Sequence, residues 1–181
     1  MTARAAGSII PRMDARGTHV PSSPGSPMHV DLAAVDLEML ATALSDQGWD
    51  GDWLFDPRTG ETGYWQRDLG EDDEDGPGAE HLVSVEPAPS RDWYRDMVDF
   101  AEQVSDDAAA RRLGRALDGK GAFRRFRDEL HRGSPELLTA WKAFSDNRSD
   151  VRAVEWLHDN DLVSRQTYEA FLAEHPDPPV P

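Results

Sequence analysis

Eight cationic side chains fall within residues 111–132. Arg111, Arg112, Arg115, Lys120, Arg124, Arg125, Arg127 and Arg132 stand there against Asp118, Asp128 and Glu129, in a chain of 181 residues whose net charge is −16. Guanidinium groups pair bidentately with carboxylate or phosphate, so the cluster suits an anionic partner, either an acidic protein or a nucleic acid. Arg111, Arg115, Lys120, Arg124, Arg125 and Arg127 are the candidate binding residues. Internal neutralisation is the competing expectation, because Asp92, Asp96 and Asp99 share one face of the preceding helical stretch. Of the two partners, nucleic acid is the less natural: a charge of −16 opposes phosphates at long range, and no zinc-finger, RRM or recognition-helix signature accompanies the cluster.

A catalytic use of the same residues would set Lys120, Arg124 and Arg125 as an anion clamp beside His131 or Asp128, and would require a concave pocket. No catalytic set assembles in the sequence. Gly114-Arg-Ala-Leu-Asp-Gly-Lys120 has the spacing of a phosphate-binding loop, but Gly121 follows where Ser or Thr must hold Mg²⁺. The segment before it is Ala- and Arg-rich, hence helical rather than a strand. His19, His29, His81, His131, His158 and His175 form no pair at metal-ligand spacing. His158-Asp159 reads as a helix terminus beside a solvated acid. The absence of Cys excludes disulfides, thiolate zinc, iron–sulfur clusters and a cysteine nucleophile. Neither a metal nor a cofactor is expected.

The elements that must carry these residues follow from periodicity and punctuation. Leu37, Leu40, Ala41 and Leu44 recur at helical spacing behind Asp36 as a cap. Asp56-Pro57 and Gly60 mark a turn between two aromatic-rich runs, which predicts a β-hairpin over about 52–66 with Trp53 and Trp65 near each other. The register decides whether the two rings share a face. Trp53, Tyr64 and Trp65 are accordingly candidate aromatic contacts. Leu82 to Glu86 alternates like a third strand and ends at Pro87.

Thereafter the pattern is helical. Ser90 or Asp92 is expected to cap a helix bearing Trp93, Met97 and Phe100, and Ser105-Asp-Asp opens the next. Phe123, Phe126 and Leu130 mark another helix. Ser134-Pro135 starts one with Leu137, Trp141 and Phe144, Ser149 one with Val151, Val154 and Leu157, and Ser164 the last. Trp93, Phe100, Phe123, Phe126, Trp141, Phe144 and Trp156 are expected in the core. Residues 1–28, rich in Pro, Gly and Ser, read as a disordered leader, 68–80 as an acidic mobile loop and 175–181 as a disordered tail.

Trp53…Asp-Pro-Arg-Thr-Gly-Glu61…Trp65, Asp92-Trp-Tyr-Arg-Asp-Met97…Phe100, Gly119-Lys-Gly-Ala-Phe-Arg-Arg-Phe-Arg-Asp-Glu-Leu130, Trp141…Phe144 and Ala153-Val-Glu-Trp-Leu157 occur in that order. Over about residues 30–160 this arrangement resembles the UPF0158 family of small bacterial proteins. The Gly-Lys-Gly-Ala-Phe-Arg-Arg-Phe segment is the most specific part. The resemblance implies no catalytic residue and no ligand.

The reading is therefore an α+β domain over 29–174, a small antiparallel sheet packed with six or seven helices. Its expected function is a non-catalytic binding or regulatory module using the Arg-rich helices. The alternative is an enzyme acting on an anionic substrate. No apolar run approaches the ~18 residues of a membrane span, and no apolar signal core follows the N-terminal Arg residues, so a cytoplasmic location is expected.

Overall fold

A computed structural model describes residues 29–48, 51–66 and 81–181. The expected leader and acidic loop lie outside the described residues. The chain enters through a short 3₁₀ turn, Leu32–Ala34, and α1, Leu37–Ser45, whose cap Asp36 accepts a hydrogen bond from the Met39 amide at 2.9 Å. Two strands follow, β1 (Gly51–Asp56) and β2 (Glu61–Gln66), then β3 (Val83–Val85), all antiparallel in the order β2-β1-β3. The hairpin turn closes as expected, with Asp56 O accepting from the Gly60 amide at 2.8 Å. Gly60 has φ +79°, and a Cβ there would come within 2.6 Å of the Ala34 carbonyl, so both turn and packing demand glycine.

The register places Trp53 opposite Tyr64 and Trp65 opposite Asp52. Because neighbouring residues on a strand point to opposite faces, Trp53 and Trp65 do not share one, and the expected closeness of the two rings is corrected. Trp53 packs on Tyr64 with centroids 5.1 Å apart and donates its indole N–H to Asp46 at 2.8 Å.

Six α-helices account for most of the remainder. After α1 come α2 (Ser90–Gln103), α3 (Asp107–Leu117), α4 (Ala122–Arg132), α5 (Pro135–Asp159) and α6 (Arg165–Glu174). Neither Ser90 nor Asp92 caps α2. The capping position is Pro89, with no side-chain hydrogen bond, and both expected caps sit inside the first turn. Ser149 likewise starts nothing, since α5 runs unbroken for 25 residues.

That continuity has a geometric cause. Leu137 and Phe144 enter one apolar cluster with α2, α3 and α4, whereas Ala153 and Leu157 enter a second with α1, Phe55 and Val85. Nine residues at about 100° each turn halfway round a helix, so Phe144 and Ala153 point to opposite sides of α5. One helix serves two cores, and its apolar pattern changes face midway.

The first cluster centres on Phe100, Phe126, Trp141 and Phe144, whose ring centroids lie 4.9–6.4 Å apart. Phe123 is not part of it: it is 44% exposed, on the outer side of α4. Residues 175–181, read from the sequence as a tail, lie along the helices. Pro181 O accepts from the Ser105 amide at 2.9 Å, Asn147 donates to His175 O at 3.3 Å, and Arg148 pairs with Asp177 at 2.6 Å. Proline excludes helix here without excluding docking.

Between α2 and α5, Asp96 is buried and receives Arg152 Nη2 at 2.8 Å, while the guanidinium stacks 4.0 Å over the Trp93 ring. Burial raises the Asp96 carboxyl above its ordinary value, and the Arg152 bond opposes that shift. Arg152 Nη1 and Trp93 Nε1 are buried with no acceptor, so this pair fixes how the helices meet more than it stabilises them. Arg152→Met, which strands a buried carboxylate, is expected to cost about 3–5 kcal/mol in urea unfolding, and Asp96→Leu combined with Arg152→Met to recover most of that loss.

Candidate functional site

The basic surface is a helical hairpin formed by α3 and α4. Asp106 starts α3 by accepting from the Ala108 and Ala109 amides at 2.7 and 3.2 Å, and Ala109, Leu113, Ala116 and Leu117 turn inward. α4 buries Ala122, Phe126 and Leu130. Apolar residues at this spacing leave Arg111, Arg112, Arg115, Arg124 and Arg127 on outward faces. Gly119 and Gly121, with φ of +71° and +78°, form the turn between the helices. A helix, not a strand, precedes the Gly-Lys pair, so the turn lacks the context of a phosphate loop.

Arg125 holds that turn closed. Its Nε donates to Ala116 O at 3.1 Å, and its two terminal nitrogens donate to the carbonyls of Lys120, Asp118 and Gly119. These are carbonyls that a helix end and a tight turn leave without partners. The Gly-Lys-Gly-Ala-Phe-Arg-Arg-Phe segment thus joins two helices. Arg125, one of the six candidate binding residues, faces backbone rather than solvent.

The other seven cations divide cleanly. Arg112 and Arg132 share Glu129, at 2.9 and 3.0 Å, and Arg111 approaches Asp107 at 4.0 Å. Among the described residues, Arg115, Lys120, Arg124 and Arg127 are exposed and make no ion pair. The acids expected to neutralise the cluster are engaged elsewhere. Asp96 binds Arg152 and Asp99 binds Arg148 at 3.3 Å, both on α5, while Asp92 approaches Arg91 at 3.7 Å.

Arg124, Arg127 and His131 follow one another at helical spacing along the outer face of α4, with Phe123 beside them. At 1.5 Å per residue, Arg124 and His131 are about 10 Å apart along the axis. With Arg125 turned to the end of α3, the imagined clamp of Lys120, Arg124 and Arg125 beside His131 or Asp128 does not converge. The clefts of about 500, 830, 450 and 360 Å³ described in the structure take no lining residue from α3 or α4.

The remaining candidates are dispersed. Trp53 is half-buried against the sheet, while Tyr64 and Trp65 are 45% and 37% exposed on opposite faces of β2. His158 Nδ1 lies 3.5 Å from Asp159, and its ring stacks on Tyr168. Among the described residues, no group of three or more metal-ligating side chains comes together, and no helix is long and apolar enough to cross a membrane. The role of Phe123 as an exposed aromatic within the basic face was missed, because its spacing from Phe126 and Leu130 is equally that of a core residue.

One family model, described as an uncharacterised protein family (UPF0158), matches residues 30–175. The chain belongs to the UPF0158 family. A curated member, UPF0158 protein PA5073 of Pseudomonas aeruginosa, is 30% identical over 95 residues, which is 51% of this chain and 61% of that protein. No solved structure matches the chain. Membership in UPF0158 brings no assigned residue, so the roles above rest on geometry.

Two consequences separate structural from surface charge. Arg125→Ala is expected to cost about 1–3 kcal/mol by stripping several carbonyls of their donor, whereas Arg124→Ala and Arg127→Ala should each stay within about 0.5 kcal/mol, as read by urea unfolding. The bonds from the Ala109 and Ala108 amides hold the Asp106 carboxyl below its ordinary value. Its folded value is then below the unfolded one, so its stabilisation is complete above the usual carboxylate range and fades as pH falls through the lowered value. Asp106→Asn, which keeps an acceptor, should flatten that part of the acid limb of a thermal-stability profile.

Proposed function

We propose that this protein is a non-catalytic binding module that presents its α3–α4 face to an anionic macromolecule, an acidic protein segment or a nucleic acid. One observation carries the reading. Arg115, Lys120, Arg124 and Arg127 lack carboxylate partners among the described residues, although the protein holds a large surplus of acids. Exposed cations that do not pair internally remain available for charge-assisted hydrogen bonds to an outside carboxylate or phosphate. Phe123, 44% exposed between Lys120 and Arg124–Arg127, adds an apolar anchor of the kind found at binding centres.

An acidic protein segment fits better than nucleic acid. A duplex or long single strand requires many phosphates to be neutralised, against the repulsion of a chain at −16. An acidic segment with one apolar residue needs only a few guanidiniums and the phenyl ring. None of the four clefts described above takes a lining residue from this face, and an extended macromolecular segment needs none.

Binding of a fluorescein-labelled Glu-rich peptide carrying a central Leu, and separately of a 20-nucleotide RNA, tests the reading by anisotropy at low and physiological salt. The peptide should bind, weaken with salt as exposed pairs do, and lose about tenfold or more in the Arg124→Ala/Arg127→Ala variant. Affinity unchanged by those substitutions would return the cluster to a solvated face, and tighter RNA binding would reassign the partner.

A further inference from the structure

The edge of the sheet carries a second surface, independent of the basic face. β2 is outermost in the order β2-β1-β3, and among the described residues its far side pairs with no strand. Half of the main-chain N–H and C=O groups of such a strand point outward with hydrogen bonds unmade. Natural edges are commonly blunted by proline, lysine or a bulge. Glu61-Thr-Gly-Tyr-Trp-Gln66 contains no proline or lysine and keeps an unbroken one-to-one register with β1.

A cleft of about 500 Å³ lies along this strand, walled by Met39, Leu54, Tyr64, Trp65 and Leu82. Six large apolar or aromatic side chains are exposed among the described residues, and three of them, Met39, Tyr64 and Trp65, line this one cleft. Gly63 leaves its middle bare, with nothing within 4 Å of where a Cβ would stand. Thr62 Oγ1, also at the cleft, is buried without a hydrogen-bond partner. Asp36 and Glu61 supply negative charge at the rim, in a chain at −16.

We infer that the outer edge of β2, unpaired among the described residues, is a docking site for an extended segment of another protein, apolar at alternate positions and bearing Lys or Arg between them. Such a segment adds a fourth strand about 4.8 Å from β2. Its apolar side chains enter the cleft beside Leu54, Leu82 and Trp65, the face that Glu61 shares, and its cations, on the opposite face, meet Asp36 beside α1. A second copy of this chain fits less well, because it would bring the same carboxylates and the same net charge to the edge.

The full chain is titrated with acetyl-Lys-Val-Lys-Ile-Lys-Val-amide, with the same peptide N-methylated at alternate amides, and with Glu replacing Lys. Calorimetry reads affinity, and amide hydrogen exchange reads residues 61–66. The basic peptide should bind and slow exchange at outward amides of β2 by about tenfold or more, and both control peptides should bind about tenfold more weakly. Trp65→Ser should weaken binding, and Arg124→Ala/Arg127→Ala should leave it unchanged, which keeps this site distinct from the basic face. The inference is overturned by an absence of binding at millimolar peptide, by binding that leaves 61–66 unprotected, or by equal binding of the N-methylated peptide. It is also overturned by a dimer whose β2 is protected without peptide. The peptide comparison is made on the unaltered chain, so the result stands even where Trp65→Ser fails to fold.

Discussion

The contact between α2 and α5 engages two acids of α2 that would otherwise be open to other cations. Asp96 and Asp99 are drawn onto Arg152 and Arg148, the first pair within the protein and the second half-exposed. Arg148 reaches further, to Asp177 in the C-terminal segment, so one arginine on α5 ties three parts of the chain together. A buried carboxylate cannot be left unpaired without a penalty of several kcal/mol, so Asp96 is not available to any other cation. Asp96 and Asp99 are therefore withheld from α3 and α4, where Arg115, Lys120, Arg124 and Arg127 make no ion pair among the described residues.

The same constraint explains why an acidic protein can carry a basic face at all. Surface ion pairs are individually weak, with a median near 0–1 kcal/mol, and would exchange freely if acids and arginines were both mobile. Placing the acids of α2 on rigid helical positions against α5 removes that freedom. Arg125 shows the opposite use of the same residue type, with a guanidinium fork gathering the carbonyls at the end of α3 and the following turn. Charge alone does not distinguish these roles. Burial and hydrogen-bond geometry do.

Much of the architecture was legible in the residues. Asp36, Asp106, Ser134 and Ser164 stand where helices begin because their side chains accept the amides of the first turn, and Asp56-Pro57 with Gly60 specifies a hairpin. The register escaped because a slip of one residue exchanges the faces of Trp53 and Trp65 without changing composition. Ser149 misled because a helix that serves two cores shifts its apolar face midway, as two helices would. Phe123 misled because an exposed aromatic and a buried one have the same periodicity. Of the site, the existence of the cluster was legible. Its division was not, since Arg124 and Arg125 are neighbours of the same type, and only the fold turns Arg125 onto the carbonyls at the end of α3.

Arginine side-chain NMR tests the division most directly. In a spectrum of the Nε–Hε groups, Arg125, Arg148 and Arg152 should give protected, slowly exchanging signals. Arg115, Arg124 and Arg127 should exchange rapidly with water, and Asp99→Asn should perturb Arg148 while leaving those three unmoved. Protected signals from Arg124 and Arg127 that shift on Asp96→Asn or Asp99→Asn would show the basic face to be neutralised from within, and would contradict the account.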